Sequence, residues 1–196
     1  MIAALFAAKG GCYFGLEGVD PWDESRDARK YAGPHPVVAH PPCSTWCQLA
    51  HVNQKRYGHR VGDDGGCFAS ALESVRTFGG VLEHPAHSYA WAKFQLPEPR
   101  LGRWRSAGEG YPYGAAWVTK VYQRAYGHRA SKATWLYVVG PKPVELDWSD
   151  PEPEATVSFL TNHGGGDLPR LGKKEAKASP PAFRNLLISI ARKCAR

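Results

Sequence analysis

Pro36-Val37-Val38-Ala39-His40-Pro41-Pro42-Cys43-Ser44-Thr45-Trp46-Cys47 is the stretch on which the reading of this chain turns. Pro36 to Ala39 is a short apolar, β-branched run of the kind that forms a buried strand, and Pro41-Pro42 stops it by removing backbone donors. Cys43 is thereby presented on a stiff turn. Open α/β sheets build their sites beyond the carboxyl ends of their strands, so a thiol in this place is a candidate nucleophile.

Toward the N-terminus, Ile2 to Phe6 reads as a first buried strand. A glycine-bearing turn follows, in which Gly10 and Gly11 let backbone N–H groups approach a ligand. Gly18-Val19-Asp20-Pro21-Trp22-Asp23 sets two acids around an aromatic ring, residue types that hold a ribose and pack on an adenine and that equally suit an Asp-Pro turn. Ser25 to Tyr31 reads as one short helix, ended by Gly33-Pro34.

Toward the C-terminus, His51 to Gly66 is expected to be a mobile basic loop carrying Lys55, Arg56, His59 and Arg60. Phe68, Ala71, Leu72, Val75 and Phe78 then recur at helical spacing, and Gly79-Gly80 closes that helix. Val81-Leu82-Glu83-His84-Pro85 is a second strand that ends in a polar-proline turn. Residues 94–114 read as a loop in which Arg100, Arg103 and Arg105 flank Trp104, a mixture of cations and rings suited to nucleic acid. Val118 to Gln123 and Ala133 to Val139 are further strands, joined by a turn that carries Lys132 and Arg129, the latter a further candidate contact for nucleic acid. Residues 141–177 have little pattern, with at most one strand near Val157 to Leu160. In the last segment Ser179 is a natural N-cap, Pro180-Pro181 fits a first turn, and Phe183, Leu186, Leu187, Ile190, Ala191 and Cys194 share one face. This alternation predicts an α/β fold: a Rossmann-like, mostly parallel sheet with flanking helices, one compact domain over 1–196 with 94–114 and 141–177 as loop-rich insertions.

Composition narrows the function. The 196 residues carry five scattered cysteines, an odd number that does not suit a secreted disulfide framework. No apolar run is long enough for a bilayer, and the first residues lack the basic flank and length of a signal peptide, so a cytoplasmic location and no membrane partner are expected. A net charge of +7, with seven tryptophans and nine tyrosines, suits a polyanion that offers flat rings, which nucleic acid does. Cys43 and Cys47 with His40 and His51 are spaced more loosely than a usual zinc set, and no metal is assigned.

Cys43, Glu83 and Lys132 stand at three strand-to-loop junctions, which a parallel sheet would gather along one edge. A thiolate that attacks carbon 6 of a pyrimidine turns carbon 5 into a nucleophile, provided the ring is stabilised as charge builds on it. A carboxyl group at the ring nitrogen and a cation beside the base supply that stabilisation.

In these blocks the sequence resembles the DNA (cytosine-5) methyltransferases, particularly the short, divergent members met in phages and prophages. Leu5-Phe6-Ala7-Ala8-Lys9-Gly10-Gly11 looks like the opening cofactor loop, and His40-Pro41-Pro42-Cys43 like the nucleophile motif. Leu82-Glu83-His84-Pro85 is similar to the glutamate motif, and Tyr126 to Thr134 to the segment that brings a glutamine and two arginines. Ala178-Ser179-Pro180-Pro181-Ala182-Phe183 resembles the last motif, whose helix returns beside the cofactor. The resemblance implies Cys43 as nucleophile, Glu83 as the acid that protonates the base, and Lys132 in place of the first arginine. It also implies S-adenosyl-L-methionine (AdoMet) as cofactor, with Phe6, Gly10, Gly11, Asp20 and Ser179 around it.

The departures are specific. Ala130 replaces the glutamine, Thr134 the second arginine, and His84 an asparagine or similar residue. The interval from Phe6 to Cys43 is much shorter than in the family. Between Lys132 and Ser179 there is no room for a full target-recognition domain, which points to single-stranded or loosely specific DNA, or to a protein partner that supplies recognition. The shortened cofactor half also fits a second expectation: a cofactor-less, non-catalytic DNA-binding or accessory module.

Overall fold

The side chains of each strand alternate between two faces, and this alternation explains how the chain is layered. The computed structural model describes residues 1–109, 115–157 and 168–194. Seven strands, β1 (Ile2–Leu5), β2 (Val19–Trp22), β3 (Val37–Ala39), β4 (Gly80–Pro85), β5 (Arg105–Ser106), β6 (Ala116–Tyr122) and β7 (Ala133–Val139), form one sheet in the order β2-β1-β3-β4-β7-β6-β5. Helices α1 (Ala50–Tyr57), α2 (Cys67–Phe78), α3 (Tyr89–Lys93), α4 (Lys173–Lys177) and α5 (Pro181–Lys193) accompany it.

Ala3, Leu5, Val37, Ala39, Leu82, Trp135 and Tyr137 point to one side, where Phe68, Ala71, Leu72 and Val75 of α2 and Trp91 of α3 cover them. Their neighbours Ile2, Ala4, Val38, Val81, Leu136 and Val138 point to the other side, against Phe183, Leu187, Ile188, Ile190 and Ala191 of α5. Burial on both faces accounts for the near-continuous apolar strands. The helical faces read from the sequence at α2 and α5 are the faces that pack. Among the described residues no helix is long and apolar enough to cross a membrane.

The sheet is mixed rather than mostly parallel. β1 pairs in parallel with β2 and β3, and β3 with β4, but β7 runs antiparallel to both β4 and β6. Only a short turn, part of it a 3-10 segment at Gln123–Tyr126, joins β6 to β7. A parallel crossover needs a dozen or more connecting residues, so these strands can pair only as a hairpin.

Several local expectations are corrected. Of Ser25 to Tyr31 only Ala28–Lys30 forms a 3-10 turn, because Asp27 enters the left-handed region at φ 52 and its side chain accepts from the Arg29 N–H. Part of the expected basic loop is α1, closed by Gly58 in the left-handed conformation. Ser179 does not cap α5: Pro180 holds that place, and no side-chain cap bond is made. The loop-rich segment 94–114 contains the two-residue β5, while the strand expected near Val157 to Leu160 extends into residues outside those described. Gly80 is required where it stands: at φ +121, a Cβ would lie 2.0 Å from the Val37 carbonyl oxygen.

Candidate active site

The order of strands reverses between β1 and β3, and the crevice beyond their carboxyl ends is where open α/β sheets bind ligands. Leu5 is the last residue of β1, and Phe6 follows it at φ 58, a conformation that bulky side chains rarely adopt. The His40 N–H bonds the Leu5 carbonyl at 3.1 Å, carrying the β1–β3 ladder one step beyond β3 and aiming the Pro41-Pro42-Cys43 turn out of the sheet.

The turn itself is clamped. The Cys43 carbonyl accepts from the N–H groups of Trp46 and Cys47 at 3.0 and 2.9 Å, which closes one helical turn behind the thiol. Trp46, 5% exposed, packs its ring on Phe68 and Phe94 and donates from Nε1 to Asp64 at 2.8 Å. Asp64 also accepts from the Phe68 N–H at 2.7 Å, tying the turn to the start of α2.

β4 ends with Glu83 turned toward the α5 side and His84 toward the α2 side. Glu83 is 8% exposed and both its oxygens are engaged. Oε2 lies 2.9 Å from His40 Nδ1, and Oε1 accepts from the Gln123 amide at 3.2 Å. The Gln123 Nε2 also donates to Thr134 Oγ1 at 3.0 Å, and the Tyr13 hydroxyl lies 2.7 Å from His40 Nε2. Five side chains from separate segments therefore form one row, Tyr13, His40, Glu83, Gln123 and Thr134.

Lys132 precedes β7, so it stands at the start of a strand rather than at an end. Because β7 is antiparallel, that start lies on the same sheet edge as the ends of β3 and β4. Its Nζ donates to the Ala178 carbonyl at 3.1 Å, beside Ser179. Burial lowers the Lys132 ammonium below the usual lysine range, although Glu83, Cys43 and Cys12 act the other way. Cys43, Glu83 and Lys132 therefore share one electrostatic neighbourhood.

The protonation states follow from this packing. Burial raises the Cys43 thiol above its ordinary value, with Cys47 and Glu83 adding to the effect, while Lys132 and Lys177 favour the thiolate without prevailing. At rest Cys43 is a neutral thiol. For Glu83 burial acts upward, but the hydrogen bond and charge of His40, with Lys132 and His84, hold the carboxyl below the usual range. Burial pushes the Tyr13 phenol well above its usual value, so it remains an O–H group. Burial also pushes His84 down to about 4.

The other candidates are more dispersed. Gly10, at φ +61, has open space where a Cβ would stand, and the Gly11 N–H closes a turn onto the Ala8 carbonyl at 2.8 Å. Asp20 lies within β2, and its carboxylate is held by Arg26 at 2.5 Å and by the Trp22 indole at 2.8 Å. Arg105 belongs to β5, four strand spacings or roughly 19 Å across the sheet from β3. Its Nη1 donates to the Glu98 carbonyl, while Arg100 and Arg103 are exposed beside it. Arg129 pairs with Glu175 at 3.0 Å and Glu154 at 3.5 Å. Among the described residues no three or more His, Cys, Asp or Glu side chains are gathered so as to hold a metal ion.

Sequence reasoning missed Tyr13, His40 and Gln123 as members of the site. The resemblance aligns its glutamine with Ala130, whereas the amide that reaches Glu83 comes from Gln123, fully buried where β6 gives way to the hairpin turn. The signal was a glutamine at the end of an apolar strand. No protein-family profile, curated protein or solved structure matches the chain.

Proposed function

We propose that this chain is a DNA base-modifying enzyme acting at carbon 5 of a pyrimidine, cytosine first, through a covalent adduct of Cys43. Methyl transfer from AdoMet on a Rossmann-like sheet is the reaction assigned. The observation that carries this reading is the meeting of Cys43, Glu83 and Lys132 at one sheet edge, with Glu83 fixed by His40 and Gln123.

The loop beyond β1 fits a bound cofactor. Phe6 is held in a strained conformation at the point where strand order reverses, and Gly10 leaves the backbone open to a ligand. Bound there, AdoMet would supply an electrophilic methyl group. Phe6, Gly10 and Gly11 would line its site, with Ser179 near the opposite wall. A ribose reaching Asp20 would first have to displace Arg26 and Trp22.

The remaining steps belong to the chain's own residues. Cys43 attacks carbon 6 as it loses its proton, Glu83 protonates the ring nitrogen, and Lys132 holds the base while charge develops. A duplex base must be flipped out at a cost of roughly a few kcal/mol, which favours single-stranded or loosely specific DNA. Arg100, Arg103 and Arg105 would contact flanking backbone rather than the reacting base, and Arg129 would exchange its carboxylates for phosphate. A partner protein could provide target recognition.

A second reading, a cofactor-less DNA-binding or accessory module, is favoured by the engaged Asp20 and the neutral Cys43 thiol. Calorimetric titration with AdoMet, followed by transfer of labelled methyl to a cytosine-containing oligonucleotide, separates the two. Binding with incorporation supports the enzyme, whereas DNA binding without either gives the accessory module.

A further inference from the structure

Glu83 has no free oxygen, since one is held by His40 and the other by Gln123. A group assigned to protonate the ring thus starts as a carboxylate with both ends occupied. Among the described residues, the one titratable side chain hydrogen-bonded to it is His40. His40 is in turn held at its far nitrogen by Tyr13, which is 3% exposed.

We propose that His40, oriented by Tyr13, stores the proton that Glu83 delivers to the pyrimidine ring, so that the working acid is the Tyr13–His40–Glu83 row. This rests on the base-modification reading above. His40 acts through Glu83 and is a positioning residue. Its side chain is 15% exposed, enough for solvent to replace the proton after each turnover. Glu83 from β4 and Tyr13 from the segment after β1 face the imidazole, while His84 turns to the other side of the sheet, against Phe68 and Trp91. Lys132, Arg184 and Cys12 act one step further out, on Glu83 or Tyr13.

The Cys43 S–H bond breaks and its proton goes to solvent, while the sulfur electron pair forms the bond to carbon 6. The C5–C6 π pair shifts into the ring toward nitrogen 3, which takes a proton from the Glu83 carboxyl. Glu83 has received that proton from Nδ1 of doubly protonated His40, which is left neutral with Nε2–H facing the Tyr13 oxygen.

The test is the rate of covalent adduct formation on a single-stranded oligonucleotide containing 5-fluorocytosine. The full chain is used at saturating AdoMet and about pH 7.5, as wild type, H40Q, Y13F and H40G, the last with and without free imidazole. H40Q should lower the rate on the order of 100-fold and Y13F on the order of 10-fold, with oligonucleotide affinity unchanged. Imidazole should restore H40G by at least ~10-fold, because it can carry a proton to Glu83 from the place His40 leaves. An H40Q rate equal to wild type, or a folded, oligonucleotide-binding H40G that imidazole does not rescue, would overturn the proposal while leaving Cys43 as the nucleophile. No adduct in the wild type would remove the base-modification reading, and the proposal with it.

Discussion

His84 ties the fold to pH in a way that can be measured without any substrate. Its ring is fully buried between Phe68 and Trp91, and neither nitrogen has a hydrogen bond of good geometry. Desolvation pushes its titration down to about 4, against Glu83 and the Pro42 carbonyl, which act the other way. The folded protein keeps this histidine neutral where the unfolded chain, titrating near 6.5, already binds a proton. The stability His84 permits is therefore full above about pH 6.5 and is lost progressively down to about 4. Across that gap of about 2.5 units, linkage gives a loss of roughly 2 kcal/mol between pH 7.5 and pH 5, growing to roughly 3 kcal/mol at pH 4. Urea unfolding at pH 7.5 and pH 5 measures it, with H84F as the comparison because phenylalanine fills a similar volume without titrating. At a typical slope of about 2 kcal/mol per molar, the wild-type midpoint should fall by about 1 M more than that of H84F. Equal falls in the two proteins would refute the reasoning.

Other substitutions test the site and its support. Gln123→Leu leaves a Glu83 oxygen and the Thr134 hydroxyl without the amide, and should cost roughly 2–3 kcal/mol in urea unfolding; a cost below about 1 kcal/mol would show that the amide does not hold the carboxylate. Gly80→Ala drives a methyl into the Val37 carbonyl and should destabilise the protein by at least ~3 kcal/mol, so an unchanged melting temperature would contradict the β3–β4 register. Glu83→Gln should lower adduct formation on the order of 100-fold with little change in oligonucleotide affinity, whereas equal loss of both would make Glu83 structural.

What could be read from the sequence was what local pattern encodes. β3, β4 and β7 were legible as apolar runs closed by proline or glycine, and α2 and α5 as stripes at helical spacing. The turn carrying Cys43 was legible because two prolines leave the chain few alternatives. α1 was not, since it buries only Ala50 and has no side-chain cap, so the sequence offers neither an apolar stripe nor a start signal. The direction of β7 is decided by the length of its connection and by packing against β4, not by its own residues. The hydrogen-bonded row was hidden for the same reason: Tyr13 and Gln123 reach Glu83 across the sheet, and only the register shows which strand ends meet. Asp20 and Arg129 are candidate cofactor and nucleic-acid contacts in the sequence, yet each is paired within the fold.

The central claim is that Cys43 is a nucleophile toward a pyrimidine ring. Intact-mass analysis of the protein after incubation with AdoMet and a 5-fluorocytosine oligonucleotide tests it most directly. The claim predicts a species heavier by one oligonucleotide and the transferred methyl group, formed by the wild type and absent in Cys43→Ser. Its absence in the wild type, or its persistence in Cys43→Ser, would contradict the claim.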